Sequence, residues 1–227
     1  MALNKLKFNS INVTPAANEA LKFNSSANGF ETGSAGGAIT FIKKLTASSS
    51  STLSFVDGAS DVVLDNTYKE YLFILNNIHP ATKDATLGFN MSTDSGSNYN
   101  VTKTTSVFRA YHDEGDSATA VQYNGGRDLA QSTSDQPIMP TVGNLNDECG
   151  AGTLHLFNPS STTFVKHFIC TTNVYEPDAD FTVQYFTAGY GNYSAGYFNT
   201  TTAITRFQFK MSSGNIDSGT ITLYGIN

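Results

Sequence analysis

The residues with which this chain could do chemistry are four histidines, two cysteines and one acidic run. The histidines are His79, His112, His155 and His167. None forms a His-x-x-x-His pair and there is no Cys-x-x-Cys, so the common zinc-ligand spacings are missing. His79 precedes Pro80 and reads as a turn histidine at a strand end. His155 and His167 fall in runs predicted to be adjacent strands, where they read as a cross-strand polar pair. His112-Asp113-Glu114-Gly115-Asp116 is the most acidic stretch. Calcium takes about six to eight oxygens, but the EF-hand spacing is absent and a solvated loop after a strand accounts for these charges.

Nucleophile and phosphate motifs are also missing. Gly191-Asn192-Tyr193-Ser194-Ala195-Gly196 has the wrong spacing for a nucleophile elbow. Neither a P-loop nor a dinucleotide fingerprint occurs. The reading is non-enzymatic, with no catalytic residue, metal or cofactor assigned. Cys149 and Cys170 do not make a disulfide framework; they read as free thiols, Cys149 in a loop and Cys170 in a strand. Aromatic residues carry the richer signal. Tyr185, Phe186, Tyr190, Tyr193, Tyr197 and Phe198 crowd a stretch interrupted by glycines. A tyrosine beside Asn or Asp offers flat apolar contact plus a hydroxyl, the chemistry of sugar and protein recognition. Tyr190, Tyr193 and Tyr197 are therefore candidates for receptor or glycan contact on Tyr-rich loops, although sandwich packing would also use such residues.

The elements that must position these residues are strands. The chain has 227 residues, enough to bury a sizeable core. Only 14% are charged, the net charge is −6 and the pI about 5.0, which gives a nucleic-acid groove little support. No apolar run is long enough to span a bilayer. Lys5 and Lys7 are not followed by an apolar signal segment, so synthesis is expected in a cytoplasm without a cleaved signal. Short apolar runs recur between Gly, Asn, Ser and Pro clusters, and no amphipathic helix emerges. Runs at Ala38–Ile42, Leu53–Val56, Leu87–Met91, Val107–Tyr111 and Phe164–Cys170 read as strands. Phe181–Phe186 and Gly196–Phe198 read likewise. Tyr71–Leu75 is continuously apolar and is predicted to be a central strand buried on both faces. Val121–Tyr123 reads as a short edge strand, Leu154–Phe157 as the partner of the strand at Phe164–Cys170, and Gly125–Gly150 as a long surface loop. Arg206–Ile226 is two alternating runs about Ser212-Ser213-Gly214-Asn215, read as an antiparallel pair. The expected fold is all-β: an antiparallel sandwich, jelly-roll-like, over residues 38–227.

Residues 1–37 differ in texture. Leu6-Lys7-Phe8-Asn9-Ser10 recurs as Leu21-Lys22-Phe23-Asn24-Ser25. Two Leu-x-Phe pairs in a polar arm cannot build a core alone. Leu6, Phe8, Leu21 and Phe23 are read as apolar pegs that dock the arm on another surface.

Several segments carry a resemblance. They are Asn77-Ile78-His79-Pro80-Ala81-Thr82, Phe108-Arg109-Ala110-Tyr111-His112, Leu156-Phe157-Asn158-Pro159-Ser160-Ser161-Thr162, Gly196-Tyr197-Phe198-Asn199-Thr200 and Phe209-Lys210-Met211-Ser212-Ser213-Gly214-Asn215-Ile216. With them, the chain from about Tyr71 to Ile226 resembles a widespread group of marine bacteriophage proteins often labelled tail fibre or virion structural. The resemblance implies a virion protein, synthesised in the host cytoplasm, with no catalytic residues. It implies docking on other virion proteins through the arm, a homo-oligomer (most simply a trimer) and contact with a host-surface glycan or protein. No nucleic acid and no membrane insertion are expected. A capsid decoration (head-fibre) protein and a lectin-like carbohydrate-binding module are the alternative expectations.

Overall fold

Strands are what this composition favours, because β-branched and aromatic residues alternate with small polar ones. A computed structural model describes residues 13–14, 20–33, 38–113, 116, 118–177 and 187–227; the side chains of 113, 176–177 and 187–190 lie outside the description. Among the described residues there are fourteen strands and no helix. They are β1 (Ala20–Phe23), β2 (Phe30–Gly33), β3 (Ile39–Thr46), β4 (Leu53–Val56), β5 (Glu70–Pro80), β6 (Ala85–Ser92) and β7 (Lys103–Asp113). Then come β8 (Thr119–Tyr123), β9 (Gln136–Val142), β10 (Gly150–Phe157), β11 (Lys166–Pro177), β12 (Thr187–Phe198), β13 (Arg206–Met211) and β14 (Ile216–Ile226).

The chain divides into two compact units, Met1–Thr40 and Phe41–Asn227. In the first, β1 and β2 form a two-stranded antiparallel sheet with Phe23 opposite Phe30. In the second, an eight-stranded sheet in the order β3-β14-β5-β10-β11-β12-β7-β8 faces a four-stranded sheet in the order β4-β13-β6-β9. Aromatic rings join the layers. Phe73 of β5 stacks on Phe207 of β13 at 4.7 Å, and Phe89 of β6 meets Phe168 of β11 edge-on at 5.1 Å. Phe207 also stacks on Phe89 at 4.9 Å. Each such pair contributes about 0.5–1.5 kcal/mol beyond its buried area. The all-β sandwich expectation holds. Jelly-roll connectivity is not established, because a jelly roll shares eight strands between two sheets and here the sheets have eight and four.

Four local expectations are corrected. The runs within Arg206–Ile226 alternate as read, but β13 and β14 lie in opposite sheets and do not pair with each other. Phe207 and Phe209 enter the core from one side and Ile221 and Leu223 from the other. Alternation shows which face is dry, not which layer a strand joins. β5 buries Tyr71, Phe73 and Leu75, while Ile74 is exposed on the uncovered face of the long sheet. The strand buried along nearly its whole length is instead β6, where Gly88 and the buried amide of Asn90 interrupt the apolar run. Asn90 donates to Thr133 O and Asp135 Oδ1 at 2.9 and 3.0 Å. Gly125–Gly150 contains β9, whose Ile138, Met139 and Val142 are buried. Pro137 and Pro140 are tolerated because β9 is an edge strand.

His155 and His167 are not opposite one another. His155 faces Ile169 and His167 faces Phe157. His155 Nδ1 lies 2.5 Å from Glu70 Oε1. His79 Nε2 lies 3.1 Å from Leu145 O, just before β5 ends at Pro80. The predicted strand Phe181–Phe186 lies outside the described residues, as do Glu114 and Gly115 of the acidic run; His112 Nε2 is 2.9 Å from Asp116 Oδ1. Both cysteines are free, and burial pushes the Cys170 thiol up to about 12.

Because Phe207 bridges Phe73 and Phe89 with no exposure, Phe207→Ala is expected to cost about 3–5 kcal/mol in denaturant unfolding. Phe108→Ala, on the solvent face, is expected to cost about 1 kcal/mol or less. Equal losses would show that the two-layer core does not carry the stability.

Candidate binding face

The eight-stranded sheet has one face against the core and one face open. Register places a single row of side chains across seven strands of the open face. From β14 to β8 it runs Thr222, Ile74, Thr153, Thr171, Tyr193, Phe108, Tyr123. Within it the rings of Phe108 and Tyr193 stack at 4.7 Å with only 6° between their planes. They are 45% and 38% exposed, so this stack faces solvent.

Directly beside the stack the face is hollow. Gly191 of β12 and Ala110 of β7 are register partners and form a floor without large side chains. His112, Val121, Asn173 and Tyr193 rise around it, enclosing an open groove of about 460 Å³. A Cβ at residue 191 would already touch the Tyr193 ring at 3.4 Å. Tyr123, the register partner of Phe108, donates its hydroxyl to Asp128 Oδ2 at 2.5 Å, and that bond raises its pKa above the usual phenol value. The groove therefore offers ring faces, one amide and one imidazole, with no fixed formal charge among these lining groups. That is a surface for flat, neutral contact. No described group of three or more His, Cys, Asp or Glu side chains is placed to hold a metal ion.

The predicted contact tyrosines separate. Tyr193 is in the stack. Tyr197 lies two rows along the same strand, half-buried, and its hydroxyl accepts from Gln131 Nε2 at 3.3 Å. Tyr190 has register partners Val174 and Tyr111, the alternate row to Tyr193, and its side chain lies outside the described residues. All three belong to β12, a strand with a neighbour on each side, and not to loops. The run Thr-Ala-Gly-Tyr-Gly-Asn-Tyr-Ser-Ala-Gly hides that strand, because glycine and alanine at alternate positions erase the apolar period. Phe108 was legible as a strand residue; its pairing with Tyr193 required the β7–β12 register. Of the arm residues, Leu21 and Phe23 lie on β1 and both are exposed, while Leu6 and Phe8 lie outside the described residues.

A buried lysine steadies the loop behind this face. Lys103 has no exposed surface, and its ammonium donates to Ser134 O at 2.6 Å. The backbone of Lys103 also pairs with Ser132. Gln131, carried on that loop, donates to Thr104 Oγ1 at 2.8 Å. Burial pushes the Lys103 ammonium down to about 8, and nearby Asp135 partly opposes this. Between about pH 8 and the ordinary lysine value near 10.4, the unfolded chain holds a proton that the folded chain has released. The penalty of burying the charge is thus fully present below pH 8 and relieved as pH rises. The stability difference between wild type and Lys103→Met is expected to move in favour of wild type by about 3 kcal/mol from pH 7 to 10.5. A difference independent of pH in denaturant titrations would refute the buried charged lysine.

No protein-family model, curated protein sequence or solved structure matches this chain.

Proposed function

We propose that this chain is a non-enzymatic structural protein of a phage particle, a tail fibre or receptor-binding appendage. Its N-terminal arm docks on other virion proteins and its sandwich is presented for contact. The observation that carries the reading is the hairpin β1–β2. Phe23 and Phe30 stack at 4.9 Å, yet they are 66% and 44% exposed, and Leu21 beside them is 43% exposed. A lone two-stranded hairpin is at best marginal in water, and one that keeps its aromatic pair open gains by burying it on another protein. Complete burial of one such side chain contributes about 1.5–3 kcal/mol. The repeat Leu6-Lys7-Phe8 supplies a second copy of the same peg.

The stacked Phe108–Tyr193 pair favours a second reading, a lectin-like module that contacts glycan through the open sheet face. The sequence resemblance supports the virion reading, including a homotrimer on the particle. Capsid decoration remains the rival location.

Particles produced with the Phe8→Ala/Phe23→Ala chain test the docking. The double variant is expected to keep the wild-type thermal transition of its sandwich and to be missing from purified particles. Incorporation equal to wild type would refute docking by the arm. Copy number against the major capsid protein then assigns the place: a ratio near one means decoration, and a small fraction means an appendage.

A further inference from the structure

A second concave surface lies at one end of the sandwich. β5 and β10 are neighbours, with Phe157 opposite Glu70. The loop before β5 and the loop after β10 therefore lie side by side, joined where Asn158 N donates to Lys69 O at 2.7 Å. Between them is an open cleft of about 580 Å³, lined by Asp65, Asn66, Lys69, Asn158, Thr162 and Phe164 among others.

This cleft is held rigid from beneath. Lys166 is fully buried, and its ammonium donates to three carbonyls: Ser161 O and Thr202 O at 2.7 Å, and Thr200 O at 3.2 Å. Ser161 Oγ accepts from the backbone N–H groups of Thr163 and Phe164 at 3.2 and 3.0 Å. On the other wall the buried Tyr71 hydroxyl donates to Asp65 O at 3.1 Å. Asp65 Oδ1 accepts from Thr67 N at 2.7 Å, and hydrogen bonds with Thr67 hold its carboxyl below the usual range. Asn158 takes a left-handed backbone (φ 51°), which Asn adopts more readily than most residues. Burying an ammonium is expensive; a connection that only had to turn from β10 into β11 would not need one. The outcome is that Phe164 is 68% exposed at the rim of a fixed loop.

The remaining chemistry names the ligand. Among the described residues, no hydrogen bond within the chain engages the side chains of Asn158, Thr162 or Thr163. Amide and hydroxyl groups thus line a cleft with one apolar ring at its edge, beside the Asp65 carboxylate held by Thr67. Asp65 and Lys69 carry opposite charges, so the walls favour no ionic ligand, and no apolar trough suits a hydrophobic peptide. The volume accommodates a ring or two of a small molecule, and preorganisation spares the cost of ordering the loops on binding.

We propose that this cleft is a saccharide-binding site for a neutral, hydroxyl-rich ligand: polar groups on both loops address the hydroxyls and Phe164 covers a face of the sugar ring. The site is independent of the particle reading and separate from the Phe108–Tyr193 face.

Purified full-length protein is tested on an array of immobilised neutral and acidic glycans, and with methyl hexosides by saturation-transfer-difference NMR. Wild type is expected to bind neutral glycans. Phe164→Ala and Thr162→Val, both at exposed positions and checked for an unchanged thermal transition, are expected to bind at least about tenfold more weakly. Leu145→Ala, an exposed apolar side chain that lines neither this cleft nor the sheet groove, is expected to bind as wild type. The proposal is overturned if wild type binds no glycan in either assay or only acidic ones, if Phe164→Ala binds unchanged, or if Tyr193→Ala abolishes the binding.

Discussion

Phe207 lies between two rings from different layers, Phe73 of the long sheet and Phe89 of its own short sheet. This contact makes the unit from Phe41 onward a two-layer structure. Phe55, Phe168, Phe198 and Phe209 crowd around it, so an aromatic cluster sits within the otherwise aliphatic interior. Aromatic rings bury large area for few rotatable bonds, which suits a chain with so few charges and so much Ser, Thr, Asn and Gly. The core needs the last two strands on opposite sides, and that is why β13 and β14 leave the turn at Ser212–Asn215 into different sheets.

Four strands cannot cover eight. The core-facing rows of β7 and β12 are accordingly partly polar. Thr105, Asn192 and Ser194 are buried there, together with Lys103. The loop after β8 makes up the deficit. Leu129 and Ser132 hydrogen-bond to Thr105 and Lys103 along the part of the β7 edge that β8 does not pair. A buried ammonium recurs at the end of β11, where Lys166 gathers carbonyls from two loops. In both places a charge is taken out of water and satisfied by backbone oxygens. A point charge with three donors can tie several chain segments at once, and here it converts irregular connections into rigid ones. The loop cleft includes one such connection, at Ser161.

Much of the secondary structure was legible because period-two alternation is a local property. Leu53–Val56 and the pairing of Leu154–Phe157 with the strand after it came straight from the pattern, as did the edge position of Val121–Tyr123. β12 was hidden because Gly189, Gly191 and Gly196 carry no side chain to mark a face. β9 was hidden because two prolines argue against a strand unless it lies at an edge. Tyr193 was found as a contact residue from its type and neighbours. Phe108, its stacking partner, is 85 residues away in the chain, and no spacing rule connects them.

By itself, then, the amino-acid order determined that the chain is all-β, which residues of most strands are dry, and that Leu21 and Phe23 are apolar residues in a polar arm. Those follow from side-chain type and the two-residue repeat of a strand. Tertiary structure alone decided which layer each strand joined, which face of β5 stayed wet, and which aromatics met on the open sheet. It also brought the loops at Asp65 and Asn158 together. Those outcomes depend on register between strands far apart in the chain, and register is set by the packing of the whole core.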